Sequence, residues 1–425
     1  MDVFSLNSNK KRILIIGGGF GGIEIARRLD TRKFEVLLID KHNYFTFQPL
    51  LYQVATGGLE PDSVAYPLRK ILKKNKEVLF RLTEVRSIDQ SSSKVMTTIG
   101  EIPYNILVIA TGAVTNFFNM VETEKNALSL KSVTDALNIR SFVLQKFEAA
   151  LLEKSKEEQK RMMNFVIVGG GPTGVEISGA LAELKRHVLP HDYPELDISM
   201  MEISILESGE NVLDVMSPFS KRKAKEQLLD IGVNLLLKQQ LKSYDGRQAI
   251  LADGKIIATS SLIWTAGVKG IYPDGFESTA VTKGNRLIVN DYNQLLANEN
   301  IFAIGDVASM QSGPHPMVAP VAIQQAKNLA KNLNRKNKNE WEKFVYRNKG
   351  SMATIGRSRA VADVKFLHLK GFFAWLAWLF IHLMLLVGFR NRVIVLFNWI
   401  WNYFSYDRAI RLIIRPYTRN VENEK

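Results

Sequence analysis

An apolar strand running directly into a glycine-rich turn is written twice in this chain, as Arg12-Ile13-Leu14-Ile15-Ile16-Gly17 and as Asn164-Phe165-Val166-Ile167-Val168-Gly169. Repetition at this range limits the fold to one built on two similar units. In the first copy Gly17, Gly19 and Gly22 satisfy G-x-G-x-x-G; a helix is predicted over Ile23 to Leu29, and a strand over Phe34 to Ile39 ends in Asp40. In the second, Gly169, Gly171 and Gly174 precede a helix over Val175 to Leu184 and a strand over Glu202 to Leu206 that ends in Glu207. Between that helix and strand, residues 187–194 hold two prolines and read as a loop or a broken helix. Glycines permit a tight turn and close backbone approach, so a pyrophosphate can rest on N–H groups at the positive end of a helix. The carboxylate at the next strand end then meets ribose hydroxyls. A single motif of this kind is often an ordinary glycine turn, but two in the same strand–turn–helix–strand–acid setting point to two dinucleotides. Ser208 and Gly209 follow Glu207 with no arginine beside them, which favours NADH over NADPH in the second unit.

Further pairing follows downstream. Ile106-Leu107-Val108-Ile109 leads into Ala110-Thr111-Gly112, and Ser261-Leu262-Ile263-Trp264 into Thr265-Ala266-Gly267. Both read as crossings between domains whose small residues let backbone lie close to a dinucleotide, although each also fits a plain strand-ending turn. Asn300 to Ile304 then delivers Gly305 and Asp306 to the C-terminal end of a strand, where open parallel sheets bind ligands.

A length of 425 residues implies two or three domains with ample core. Fifty-six Lys and Arg against 42 Asp and Glu leave a net charge of +14, compatible with nucleic acid, an anionic cofactor or an acidic membrane surface. Cysteine is absent, which excludes disulfide frameworks, zinc–thiolate sites, iron–sulfur clusters and any thiol relay of electrons. No metal site is expected. The first dozen residues lack the apolar core of a secretory signal, so the first domain is expected to fold in the cytoplasm.

The order of these pieces resembles the two-dinucleotide-binding flavoprotein superfamily. That resemblance implies FAD on the first unit, NADH on the inserted second unit, and Gly305 with Asp306 against the ribityl–phosphate part of the flavin. Disulfide reductases and sulfide:quinone oxidoreductases use redox cysteines, which this chain lacks. Within the superfamily, Tyr44-Phe45-Thr46-Phe47-Gln48-Pro49-Leu50-Leu51-Tyr52-Gln53-Val54-Ala55-Thr56-Gly57, Trp264 to Val268, and Lys349 to Arg357 are similar to type II NADH dehydrogenases, single-chain NADH:quinone oxidoreductases that pump no protons. The likeness extends over nearly the whole chain. It implies an α/β fold with two Rossmann-like domains in a disulfide-reductase-like arrangement, plus a C-terminal membrane-docking helical region. Expected bounds are 1–112 and 271–335 for the FAD domain, 113–270 for the NADH domain and 336–425 for the membrane region. Phe20 and Pro49 join the glycines, Asp40, Ala110, Thr111, Gly112, Glu207, Ala266 and Gly267 as expected cofactor contacts. A homodimer is implied by the family alone. The family motif A-Q-x-A-x-Q at the quinone maps onto Ala319-Pro320-Val321-Ala322-Ile323-Gln324; Pro320 replaces the first glutamine, leaving Gln324 as the candidate quinone contact or as a structural hydrogen-bonding residue.

After Val364 the composition turns apolar. Gly371 to Phe389 carries no formal charge with His382 neutral and is long enough to span a bilayer. Beyond Arg390-Asn391-Arg392, the residues Asn391, Asn398, Asn402 and Ser405 form one polar stripe at helical spacing, opposite Val393, Phe397, Ile400, Trp401 and Phe404. Trp375, Trp378, Trp399, Trp401, Tyr403 and Tyr406 suit a headgroup boundary, and Arg408, Arg411 and Arg415 suit anionic lipid. Both a crossing and a helical lid packed on protein fit the pattern; the resemblance favours monotopic docking on the cytoplasmic face of the membrane. No nucleic acid is expected, because apolar runs this long are foreign to a strand-binding groove.

Quinone reduction needs protons. Glu176, after the second glycine motif, is the candidate acid, with Lys349 as its charge partner on the strength of the resemblance; a first-turn helix acid is the alternative role. Two other functions fit the same motifs: a reductase of a small redox protein such as ferredoxin or rubredoxin, and a redox sensor that binds NADH and flavin without turnover.

Overall fold

The computed structural model describes residues 10–73, 77–405 and 411–419; the expectations placed on the extreme N-terminus and on Tyr406 and Arg408 lie outside these. In chain order the elements that build the sites begin with β1 (Lys11–Ile16), α1 (Phe20–Ala26), β2 (Phe34–Asp40), α2 (Leu51–Ala55), β3 (Leu79–Leu82) and β4 (Ile106–Ile109). Next come β5 (Leu128–Ser129), α3 (Val133–Leu152), β6 (Asn164–Val168), α4 (Pro172–His187), β7 (Glu202–Glu207), β8 (Asn234–Leu237) and β9 (Ser261–Trp264). The remainder are β10 (Ile301–Ala303), α5 (Ala319–Asn334), β11 (Ser351–Gly356), β12 (Arg359–Val364), β13 (Leu367–Lys370), α6 (Gly371–Leu385) and α7 (Phe389–Ser405).

Two compact units result. The first comprises the described part of Met1–Thr46 with Tyr66–Val114 and Val268–Asn348. Its parallel sheet has the order β10-β4-β1-β2-β3, with Ile13–Ile16 paired to Val36–Ile39 on one side and to Ile106–Ile109 on the other. Ile13, Leu14 and Ile15 are fully buried in succession, as a strand covered on both faces requires. Helices α1 and α5 pack together in this unit, and Ile88, Val95 and Ile102 of a small antiparallel sheet complete the core with Leu14, Leu37 and Leu107.

The second unit comprises Phe47–Ala65, Thr115–Gly267 and the described part of Lys349–Lys425. Its parallel sheet, β5-β9-β6-β7-β8, repeats four positions of the first, β9-β6-β7-β8 matching β4-β1-β2-β3, while the outer place is taken by a strand that precedes the glycine motif instead of one that follows it. A third, antiparallel sheet β11-β12-β13 lies under α4 and α6. Residues 47–65, expected with the FAD domain, fold here: Gln53 and Gly58 accept hydrogen bonds from Trp399 and Asn402 of α7, at 2.8 and 3.1 Å.

The apolar run from 371 is broken into two helices. α6 stops at Leu385, and Arg392 donates to the carbonyls of Met384 and Leu386, both at 2.9 Å, closing its C-terminus. Among the described residues no helix is long and apolar enough to cross a membrane. The polar stripe of α7 points inward at Asn391, which is buried and donates to the carbonyls of Asp62 and Ser63, and at Asn402, while Ser405 at its end is exposed. The outer side of α6 and α7 is left apolar, with Phe373 73%, Phe380 63%, Phe397 66%, Trp401 65% and Phe404 77% exposed.

Helix α4 approaches β11 so closely that a Cβ on Gly179 would stand 1.8 Å from the carbonyl oxygen of Ile355. Gly179→Ala is therefore expected to force the helix off the strand and to destabilise the protein by about 1–3 kcal/mol, the usual range for overpacking. Chemical unfolding of the two proteins checks this; unchanged stability would contradict the close approach.

Candidate functional site

Backbone sterics shape the turn after β1. Gly17 has φ +105°, and a Cβ there would lie 2.4 Å from the carbonyl oxygen of Ala110. A Cβ on Gly22 would stand 1.8 Å from the carbonyl oxygen of Gly17, so α1 can fold back against the turn only with glycine at this position. Gly19, at the N-cap of α1, faces open space. The Asp40 carboxylate accepts the Gly18 N–H at 2.5 Å and the His42 N–H at 2.6 Å, fixing the acid at the rim of the turn. Phe20 meets Phe45 edge-on at 4.9 Å. The Thr111 hydroxyl donates to the carbonyl of Ile271, and Gly305 donates to the buried side chain of Gln325 at 2.7 Å. Asp306 stays partly exposed beside that turn.

The turn after β6 repeats this geometry. A Cβ on Gly169 would lie 2.8 Å from the Ala266 nitrogen, and one on Gly174 1.9 Å from the Gly169 oxygen. Gly171 again caps its helix and faces open space. Glu207 accepts the N–H groups of Gly170 at 2.6 Å and Gly209 at 2.7 Å, as Asp40 does in the first unit. The Thr265 hydroxyl donates to Val168 at 2.9 Å, and Gly267, with φ +82°, packs on the ring of Phe118. In each unit the first and third glycines are enforced by neighbouring backbone while the second leaves room at a helix start, the room a pyrophosphate occupies. Both acids are partly exposed and keep lone pairs for ribose hydroxyls. These residues fit FAD and NADH.

A further constellation lies within the second unit. Glu176, in α4, is 8% exposed, and loss of water around it pushes its carboxyl up to about 8, against the weaker opposing effects of the Thr354 main-chain N–H and the Trp378 indole N–H. Trp378 of α6 presents its indole N–H towards the same carboxyl without reaching hydrogen-bond geometry, so that N–H has no hydrogen-bond partner among the described residues. Both groups border a pocket of about 840 Å³, part of it open to solvent. Tyr52, Trp375, Leu379 and Trp399 give it aromatic and aliphatic walls, while Glu183, His187 and Arg357 bring polar groups. Arg357 lies over the ring of Tyr403 at 4.0 Å, and its main-chain N–H donates to Glu183. His382 stacks on Trp378 at 4.0 Å; burial lowers its imidazole to about 4, so it is neutral at physiological pH.

Other expected residues stand elsewhere. Lys349 is exposed, five residues before Thr354, and is not among the groups acting on the Glu176 carboxyl. Gln324 donates to and accepts from the main chain of Arg347, at 3.0 Å each, while its neighbour Gln325 turns inward to Gly305. Pro320 occupies the first turn of α5, where no N–H is needed. Pro49 is the second residue of a short 3-10 turn, Gln48–Leu50, leading into α2. Trp378, His382, Tyr52 and Gln325 were not singled out for the site from sequence. Trp378 and His382 stand four apart, the spacing that places two side chains on one helix face, but an all-round apolar helix does not mark which face is buried.

Residues 11–326 match the family described as pyridine nucleotide-disulphide oxidoreductase, and residues 348–406 match the NDH2 C-terminal domain. The chain is 36% identical over 408 residues to a type II NADH:quinone oxidoreductase, NdhA, of Mycobacterium tuberculosis, with 92% of this chain and 86% of that protein covered. It is 30% identical over 454 residues to the mitochondrial external NADH-ubiquinone oxidoreductase 2 of Saccharomyces cerevisiae, covering 94% and 82%. Its fold is similar to that of NDH2 from Plasmodium falciparum in complex with NADH, with a TM-score of 0.87 at 24% identity over 96% of this chain and 100% of that one.

The raised carboxyl of Glu176 predicts a pH-dependent stability. Its folded value, about 8, lies above the ordinary 4.5, so the protonated form is favoured by folding, and its contribution is full below pH 4.5 and is lost as pH rises towards 8. Glu176→Gln, which stays neutral, is expected to gain stability relative to the parent as pH rises through this window and to hold a constant difference above it. Thermal unfolding across the pH series measures this; a difference that does not change with pH would contradict it.

Proposed function

The chain belongs to the type II NADH:quinone oxidoreductases, and on that premise we infer that it oxidises NADH and passes two electrons through FAD to a quinone, without pumping ions, at a membrane surface. The observation that carries this is the pair of acid-closed glycine turns in one chain, joined in the second unit by a buried acid beside an aromatic pocket. A family named for disulphides usually passes electrons through cysteine; with none here, the acceptor must take them from the flavin itself.

The first unit holds FAD through the turn at Gly17, Gly19 and Gly22, with Asp40 on a ribose and Gly305 and Asp306 towards the ribityl–phosphate portion. Bound there, FAD supplies the two-electron chemistry that joins a hydride donor to a quinone. The second unit takes NADH on Gly169, Gly171 and Gly174, and Glu207 selects a free 2′-hydroxyl by repelling a phosphate. Glu176 keeps a proton at its carboxyl at neutral pH and delivers it to the quinone oxygen; general acid catalysis of this kind is worth roughly 10²–10⁴-fold.

The apolar side of α6 and α7 docks on lipid. Each large side chain moved from water into hydrocarbon gains about 1.5–3 kcal/mol, against about 1 kcal/mol for each basic residue near an anionic surface. Insertion of Phe380, Phe389, Phe397, Trp401 and Phe404 therefore sets the affinity, while exposed Lys365, Lys370, Arg390 and Arg415 select anionic headgroups on the cytoplasmic face. Arg411 pairs with Asp192 at 2.6 Å and contributes less to that field. A reductase of a soluble redox protein has no use for this apolar surface, and a non-turnover sensor has none for a protonated buried acid.

Rapid mixing tests the reaction. NADH is expected to bleach the flavin absorbance of the purified protein and a quinone to restore it; bleaching without recovery would leave the sensor reading. In flotation assays the protein is expected to bind phosphatidylglycerol vesicles more tightly than phosphatidylcholine vesicles, and Phe397→Glu with Trp401→Glu to weaken binding to both by ten-fold or more. Equal binding by parent and double variant would remove the docking surface from α7.

A further inference from the structure

Trp378 is 1% exposed and its indole N–H has no hydrogen-bond partner among the described residues, although buried polar groups almost always find one. The ring cannot turn to seek a partner. His382 stacks on one face at 4.0 Å with 21° between planes, while Tyr52 and Trp399 lie against the ring at 6.3 and 6.0 Å. The imidazole is itself fixed: its Nδ1 lies 2.8 Å from the carbonyl oxygen of Trp378, which can only accept, so Nδ1 carries the proton. The indole N–H is thus held in one direction, towards the Glu176 carboxyl at the edge of the pocket.

Nearby polar groups do not compete for it. The Gln53 side chain donates to the Tyr52 hydroxyl at 2.9 Å and accepts from Trp399, and the Asn402 amide donates to Gly58. Beside aromatic walls, on a lining that also carries Glu183, His187 and Arg357, stand a fixed N–H and a carboxyl, two groups able to meet the same oxygen of a flat, apolar ligand.

We propose that Trp378 donates its indole N–H to the quinone oxygen that Glu176 protonates. This rests on the quinone reductase reading above and adds a catalytic residue to it. The indole keeps its proton throughout and stabilises the negative charge that gathers on the oxygen as electrons arrive. Overall, NADH, one proton and the quinone become NAD⁺ and quinol: NADH gives up a hydride, whose two electrons reach the quinone and whose proton is released to water, Glu176 gives one oxygen its proton and is reprotonated from water, and the second oxygen takes its proton from water, so that two protons are taken up and one returned.

The test follows the indole N–H peaks of the full-length, FAD-loaded, ¹⁵N-labelled protein in detergent micelles as ubiquinone-1 is added. The peak missing from Trp378→Phe is expected to move downfield, and kcat/KM for ubiquinone-1 is expected to fall by about 10²-fold in that variant, the size typical for loss of one preorganised donor. If Trp378→Phe does not fold, the peak is assigned in the parent from its through-space contacts to the His382 ring, and the titration alone decides. Reoxidation of the flavin by ubiquinone-1 with an unmoved Trp378 peak would overturn the role of Trp378 and leave the activity standing. Failure of ubiquinone-1 to reoxidise the flavin at all would instead remove the reading on which the role rests.

Discussion

The main-chain carbonyls of Gly58, Asp62 and Ser63 hold α7 by its amide side, and that grip decides what the C-terminal region can do. A helix whose polar stripe is bonded inward has only its aromatic side left to present outward. An amphipathic helix with the opposite sense would show its asparagines to water and pack its phenylalanines on the body. The inverted arrangement leaves Phe397, Trp401 and Phe404 without protein neighbours to cover them, and the same inward bonds place Trp399 and Asn402 in the wall of the pocket at Glu176. One set of hydrogen bonds therefore shapes both an outer apolar surface and an inner cavity.

The duplicated turns rest on a different constraint, contact between backbones. At Gly22 and Gly174 there is no space for any side chain, and in each unit the carboxylate that closes the second strand is tied to the N–H after the first glycine. Sterics of this kind act through covalent geometry and nearest neighbours. They give the same order of four strands in both units although the sequences between the motifs differ.

Burial does the chemical work around Glu176. Keeping a lone carboxylate away from water is expensive, so the group takes up a proton instead. His382 responds in the opposite protonation sense and reaches the same neutral end. The pocket consequently holds a proton donor and a fixed N–H, with Glu183 and Arg357 also on its lining. Lys349, placed with Glu176 from sequence, remains exposed, because strand β11 carries Thr354 to the carboxyl and leaves the residues before it outside.

The glycine spacing, the closing acids and the absence of cysteine were legible in the chain alone, since each expresses a local rule: a turn that admits no Cβ, a strand that ends in a carboxylate, a thiol relay that cannot exist. An interruption of the apolar run was legible too, but it was read at Arg390-Asn391-Arg392, whereas the helices part earlier, at residues 386–388, and those three polar residues lie in the first turn of α7. Tertiary structure alone decided that residues 47–65 leave the first unit for the second, that Gln325 and not Gln324 turns inward to Gly305, and that Trp378 stands beside Glu176 with His382 stacked on it. The reason is physical: periodicity tells which residues share a face, but which partner that face meets, and whether a polar stripe points to water or to a row of carbonyls, depends on segments hundreds of residues apart in the chain.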